Sequence, residues 1–549
     1  MSQSGLLPSV NTPSQSGADI GSGFDWRRLV TPACFAVAGV LLYFLYLAQA
    51  SRVGFGSDGA VIAQQGWDVL HGNVLLHGWE LPDIAFYTIE IPEFAALEWL
   101  RGGLDSWVIS SLEALNLTIV VLLVALVAKG RATGREGLIR ALIAGGILLA
   151  PTPGPAGQLM LGNPDHLATQ IPLLLVWLIL DRAVPGWWVP VAVGALLAWA
   201  RMSDTIVLLE GEIPLFVVCV IRMYRRRGPL RGQWYDASLA AAAVIANEAA
   251  KVALRLVHEH GGFTAFPLQE TFATISAWAG NIFVTAQSFF DLYGADFSGQ
   301  RLAATPGLII PAVHLVGVAL AVVAIWWAVR RFSGSDLMIQ VLTAAVVCSL
   351  VAYTVLAWYT ASGGAHDLMP VLPIGAVLAG RLLTGDVIRR GLIPALAVAL
   401  GLYGVILWRD ALIARPSPLI AQRQQLATWL TQHHLSYGLS NYYAASLLSV
   451  DSGGSMVVPL NRRNGQLVLS PWNSQASWYD PAQHDATFFV ANQKQDCPPD
   501  AAAWEAAARS AFGPPAATYS VAGAEVMVWH HNLLSDYLPA VTPHRPSAC

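Results

Sequence analysis

Asp58 lies in the stretch Gly56-Ser57-Asp58-Gly59-Ala60, a few residues past the first long apolar run of a 549-residue chain. A carboxylate placed there stands just beyond the outer end of a membrane span, where it meets both a lipid-borne and a water-borne reactant, and it can serve as general base for an incoming hydroxyl. Its alternative role is to cap the surface helix that starts near Gly59. Asn163-Pro164-Asp165-His166 opens a later apolar run at its outer end. Helix N-terminal amides favour an anion at such a place. Asp165 and His166 are therefore candidates for holding a phosphate, with helix capping and interfacial packing as the alternatives. Arg201 and Asp204 share an outer turn, and an arginine stranded there needs a partner, either Asp204 or a phosphate. Glu248, Lys251 and Arg255 recur at about helical spacing and so share one helix face. They form either a substrate contact within the membrane or a mutual ion pair with a snorkelling arginine. Glu90 in the first outer loop is a candidate substrate or metal ligand. His366, followed by Asp367, is a candidate substrate contact on a later loop, and for both the alternative is a solvated polar side chain.

The elements that must position these residues are membrane helices. The chain is 55% hydrophobic and 12% charged, with a mean hydropathy of +0.51. No soluble domain of this size tolerates that composition on its surface. A net charge of -4 carries no basic excess, which argues against a nucleic-acid partner. Apolar runs near 31–50, 107–128, 137–151, 167–181, 186–200, 205–222, 236–257, 305–329, 337–358, 369–384 and 391–408 give about eleven transmembrane helices. The basic clusters Arg27-Arg28, Lys129 to Arg140, Arg182, Arg222 to Arg231, Arg330-Arg331 and Arg389-Arg390 all fall on one side of these runs. The positive-inside rule makes that side cytoplasmic, with the N-terminus inside and the C-terminus outside.

Three outer segments exceed simple connectors: 51–106, 258–304 and everything after 409. The first carries alternating stretches around Trp67 to Leu70 and Ile89 to Leu100 that read as amphipathic surface helices. In the second, 271–292 reads as an interfacial or re-entrant helix. The polar residues 1–24 read as a disordered cytoplasmic tail with no cleaved signal. Residues 25–408 form the membrane domain, and turn clusters with short apolar runs make 409–549 a small extracytoplasmic α+β domain. Cys497 and Cys549 are the cysteines of that domain, and a bridge between them would tie its tail down. The other cysteines lie in apolar runs, with no zinc or redox spacing. Walker A, HExxH and GxSxG motifs are absent.

Sugar transfer outside the cytoplasm has no nucleotide sugar to draw on, so the donor becomes a sugar on a polyprenyl phosphate. Such a site needs a base, a cation for the leaving phosphate and a lipid groove. The loop acid Asp58, the surface helices up to Leu100, the stretch Asn163 to Arg182 and the outer C-terminal domain resemble the GT-C glycosyltransferases. The style is that of polyprenyl-phosphate-mannose protein mannosyltransferases and lipid A aminoarabinose transferases. In those families an aromatic-Asp-Lys-Pro-Pro stretch follows the loop acid. Here the corresponding Phe86-Tyr87-Thr88-Ile89-Glu90-Ile91-Pro92-Glu93 places Glu90 where the family has its lysine.

The resemblance implies an inverting, membrane-embedded glycosyltransferase of the plasma membrane. Its donor is a polyprenyl-phosphate-linked sugar, and its acceptor is a cell-envelope glycan, lipid or protein. Asp58 acts as base, Arg201 and His166 meet the leaving phosphate, and a divalent cation is an optional cofactor. Trp472, Trp478 and Tyr479 offer stacking faces for sugars, or core packing. The alternatives are a transporter or flippase of envelope precursors, using Glu248, Lys251 and Arg255 as its pathway, and an inactive binding subunit of the same fold.

Overall fold

The structure is a computed structural model that describes residues 27–152, 154–163, 166–226, 233–267, 271–298, 306–356, 365–492 and 500–536. Asp165, Cys497, Cys549 and the N-terminal tail lie outside the described residues. The chain opens with α1 (Arg27–Val53), and two short helices, α2 (Ser57–Leu70) and α3 (Glu90–Arg101), carry the first outer loop. Next come α4 (Ser106–Lys129), α5 (Gly134–Leu148), α6 (Pro155–Leu161), α7 (Gln170–Arg182) and α8 (Trp188–Ser203). A π-helical turn, Leu208–Glu212, leads into α9 (Ile213–Arg226), and α10 (Trp234–Glu259) and α11 (Trp278–Leu292) flank the second outer segment. The membrane part ends with α12 (Pro306–Arg330), α13 (Leu337–Val355), α14 (Val371–Arg389) and α15 (Ile393–Leu412).

Each apolar run read from the sequence is a helix. Seven helices are long and apolar enough to cross a bilayer, which makes this a multi-pass membrane protein. Helices α5, α7, α8 and α9 span 13 to 16 residues, fewer than the ~20 of a straight crossing. Helix α14 is the central pillar, since 78% of its apolar window is enclosed by protein against 17% for α1. Arg381 on α14 pairs with Asp181 on α7 at 2.8 Å and donates to the Val127 carbonyl of α4, which locks these three helices together. The 271–292 segment contributes α11, whose 15 residues are short for a crossing. Asn281 fastens it to the end of α13 by donating to the carbonyls of Thr354 and Leu356 at 2.9 and 3.0 Å.

Helices α2 and α3 lie against each other because Gly66 lets the two backbones meet. A Cβ at Gly66 would stand 2.7 Å from Phe94 Cβ and 2.9 Å from the Ala95 nitrogen. Their apolar faces, including Ile62, Phe94 and Leu112 of α4, form one buried cluster.

The C-terminal domain, called outer for the side on which the positive-inside rule places it, is built on a six-stranded mixed sheet. Its strands are β3 (Tyr437–Asn441), β4 (Met456–Arg463), β5 (Gln466–Leu469), β7 (Phe488–Asn492), β8 (Ala517–Val521) and β9 (Ala524–Val528), in the order β5-β4-β3-β7-β9-β8. Strand β3 pairs in parallel with both β4 and β7, so each connection must cross over the sheet. Leu439, Phe489 and Met527 face α18 (Ala501–Phe512) on one side. Phe488, Val490 and Val526 face α16 (Pro418–Gln432) and α17 (Tyr442–Ser452) on the other. This alternation is the two-residue period of a strand covered on both faces.

Two contacts fix the domain over the membrane part. Strands β1 (Trp79–Leu81) and β2 (Thr264–Ala265) of the outer loops join β6 (Ser474–Gln475) in a second small sheet. Leu447 and Val450 of α17 pack into the α2–α3 cluster.

Candidate functional site

Asp58 sits in the first turn of α2, whose N-cap is Gly56. It is not the cap itself, and its carboxylate is half-buried. Tyr442 of α17 donates to Asp58 Oδ1 at 2.5 Å, so the outer domain reaches the loop acid directly. Burial, reinforced by the Asp58 charge, pushes the Tyr442 phenol well above its ordinary pKa. It stays protonated, as a donor must. Asn473 Nδ2 lies 3.3 Å from the same phenolic oxygen, and Gln65 of α2 donates to Asn473 Oδ1 at 2.6 Å. One turn away, Arg423 of α16 pairs with Asp451 at 2.5 Å, lies over the Phe55 ring and donates to the Phe55 carbonyl. The start of α2 is thus clamped from the outer domain on two sides.

The same turn touches the segment before α7. Gly56 donates its amide to the Gly162 carbonyl at 2.8 Å, and a Cβ at Gly56 would meet Asn163 Oδ1 at 1.9 Å. Three residues beyond Asn163, His166 adopts φ 58°, a left-handed conformation that costs energy for a side-chain-bearing residue and persists only where its surroundings hold it. Asp204 holds it, with His166 Nδ1 2.6 Å from Asp204 Oδ2. Thr169 donates to the same oxygen at 3.0 Å, and the other oxygen accepts the amide of Ile206 at 2.9 Å in an Asx turn that ends α8. Burial alone would depress the His166 pKa, but the charges of Asp204 and Asp367 outweigh it and hold the imidazole well above its ordinary value.

Further groups converge here. His366 and Asp367, on a 3₁₀ turn before α14, bring Asp367 Oδ1 to 3.5 Å from His166 Nε2. The two imidazoles stack at 5.7 Å and 11°. Gln170 bridges the His166 carbonyl and Glu210 of the π-helical turn. Glu90 accepts from Ser203, the neighbour of Asp204, at 2.9 Å. Burial pushes the Glu90 carboxyl well above its usual range, and the charges of Glu93 and Asp204 act in the same direction. Glu90 is therefore a buried acid rather than a solvated one. A cavity of about 230 Å³ opens on this cluster, lined by His166, Asp367, Asp83, Tyr353, Ile206 and Leu208.

The structure thus brings together Glu90, His166, Asp204 and His366, and ties Asp58 to their edge through Gly56 and Asn163. Arg201 does not pair with Asp204, whose oxygens are taken. Among the described residues it forms no ion pair, and its Nε is buried without a partner. Lys251 and Arg255 lie on an exposed stretch of α10, where Lys251 pairs with Glu248 at 2.9 Å outside the cluster. This pair is the mutual ion pair, at a surface rather than facing inward. The aromatics of the outer domain are packing residues: Trp472 stacks on Phe266, Trp478 meets Trp79 edge-on, and Tyr479 donates to the carbonyls of Pro459 and Ser470. The sequence reading did not single out Asp83, Thr169, Gln170, Glu210, Tyr353 or Tyr442. Of these, Glu210 carried a signal, being an acid inside an apolar run.

No protein-family profile matches the chain, and no curated protein does. The crystal structure of ArnT from Cupriavidus metallidurans in the apo state superposes with a TM-score of 0.53 at 14% identity, covering 91% of this chain and 98% of that one. The fold is that of ArnT. The crystal structure of the same ArnT bound to undecaprenyl phosphate superposes with a TM-score of 0.53 at 12% identity, over 90% of this chain and 97% of ArnT. The archaeal oligosaccharyltransferase AglB from Archaeoglobus fulgidus, in complex with an inhibitory peptide and a dolichol-phosphate, gives a TM-score of 0.47 at 12% identity over 89% of this chain and 72% of that one. The ArnT-like fold expected from the loop acid, the surface helices and the outer domain is therefore present along the described chain.

Proposed function

We propose that the protein is an integral membrane glycosyltransferase that moves a sugar from a polyprenyl-phosphate carrier to a cell-envelope acceptor on the extracytoplasmic face, with inversion at the anomeric carbon. The observation that carries this reading is the position of Asp58. It is a half-buried carboxylate at the first turn of a surface helix, held by a tyrosine of the outer domain, in a fold shared with a protein crystallised with undecaprenyl phosphate.

The acceptor oxygen attacks C1 of the sugar from the face opposite the phosphate, and the C1–O bond to phosphate breaks. The hydroxyl proton passes to Asp58, and polyprenyl phosphate leaves. Tyr442 orients the carboxylate through Oδ1. Arg201, whose Nε is buried without a hydrogen-bond partner, is the cation assigned to the leaving phosphate.

The purified protein in detergent, given a panel of undecaprenyl-phosphate sugars and envelope extracts as acceptor, is expected to release free undecaprenyl phosphate from one donor with stoichiometric labelling of acceptor. A protein that instead moves intact sugar-phospholipid between leaflets of a vesicle, with no cleavage, is a flippase and overturns the assignment.

A further inference from the structure

His166 is fixed at one ring nitrogen and open at the other. Asp204 takes Nδ1 at 2.6 Å, while the residue is 1% exposed and its Nε2 is enclosed without a hydrogen-bond partner. That nitrogen points to Asp367 Oδ1 at 3.5 Å, beyond hydrogen-bond length. Asp367 Oδ2 lies 3.4 Å from His366 Nε2. One ligand atom from each of the three residues lies within 4.8 Å of the others. A tetrahedral ion with bonds of about 2.0–2.1 Å sets its ligand atoms roughly 3.3 Å apart. A histidine binds a metal by giving Nδ1–H to a carboxylate and offering its other nitrogen, once that has shed its proton, to the ion. A buried carboxylate is stable only when paired or coordinating, and the buried Asp204 and the partly buried Asp367 meet across this one ring.

We propose that His166, His366 and Asp367 hold a single divalent transition-metal ion of the zinc class, with Asp204 as the carboxylate that orients His166. Two imidazoles and one carboxylate suit such an ion, whereas magnesium and calcium select oxygen-only sets. Three protein ligands leave one position open, on the side of the cavity lined by Tyr353, Ile206 and Leu208. That position fits an oxygen of the carrier phosphate, an extension that rests on the glycosyl-transfer reading. Binding of the ion does not.

The test uses the full-length protein in detergent, stripped with a chelator and titrated with Zn²⁺ by calorimetry and with Co²⁺ by visible absorption, with no donor present. The expected result is one tightly bound ion per chain and a Co²⁺ d–d spectrum that disappears in His366→Ala and Asp367→Asn. A loss of about 10–100-fold in affinity is expected in Asp204→Asn. Mg²⁺ in excess leaves the titration unchanged. The exposed His433, His434, His530 and His531 are the same in every variant, so their weak binding cancels. If His366→Ala does not fold, Asp367→Asn, which keeps the side-chain shape, carries the comparison. No tight ion, equal competition by Mg²⁺, or an unchanged spectrum in folded Asp367→Asn would overturn the proposal. Since no sugar transfer is measured, its outcome is separate from that of the proposed reaction.

Discussion

Asp58 and Tyr442 are separated by 384 positions in the chain, and their contact is the smallest unit on which the proposed chemistry depends. A hydrogen bond to a charged group contributes about 1.5–3 kcal/mol. Tyr442→Phe should therefore lower the transfer rate about 10–100-fold while leaving the fold intact, because the ring still fills its site. Initial rates at saturating donor check this, and a rate within twofold of wild type would remove Tyr442 from the site. The sequence marked Asp58 and His166 because an acid or an imidazole beside the end of an apolar run is unusual in itself. Tyr442 carried no such mark: a tyrosine at the start of a polar-domain helix looks like any other until the fold brings it to α2. Arg201 and Asp204 were legible as a suspicious pair, but not in their division of labour, since Asp204 turns to His166 and Thr169 instead.

At the level of elements, α2 and α3 decide where Asp58 stands, and both were visible as amphipathic stretches. Their close approach was not, because it depends on which glycine faces which backbone. Gly66→Val should drive the helices apart and cost about 1–3 kcal/mol by overpacking, read as a lower melting temperature in detergent. Gly401→Ala, with nothing within 4 Å of its added Cβ, should leave the melt unchanged. An equal melt for both would contradict the packing described.

Helix α3 also buries Glu98, whose two carboxylate oxygens have no hydrogen-bond partner and whose pKa burial pushes up to about 9. A raised carboxyl pKa favours the protonated native state. Its stability is fully present below the unfolded value of about 4.3 and is lost as pH rises toward the folded value. Glu98→Gln should thus melt several degrees above wild type at pH 8, with the gap narrowing as pH falls and closing below about pH 4. A difference independent of pH would show that the acid is ionised or solvated in the folded protein.

Over the whole molecule, the apolar runs foretold each of the seven helices among the described residues that are long and apolar enough to cross a bilayer, since bilayer length and hydropathy are local properties of the chain. The number of crossings was less legible because four of the helices are short. The outer domain was read as α+β from its turns and short runs. The parallel pairing of β3 with β4 and β7 and the three-strand seam that ties both outer loops to that domain join distant segments and leave no local trace. The proposed reaction requires this domain and Asp58 to share the extracytoplasmic side. In a cysteine-free background, a cysteine at Ser452 should label with an impermeant thiol reagent in intact spheroplasts and one at Arg226 should not; the reverse pattern would invert the topology.

The most direct measurement is the transfer rate of Asp58→Asn, assayed as purified protein beside wild type with the donor that wild type cleaves. The amide keeps the shape of the side chain and cannot accept the proton, and a general base contributes about 10²–10⁴-fold. The account predicts a rate lowered by that factor with an unchanged melting temperature, and a variant that retains more than about a tenth of wild-type transfer would contradict it.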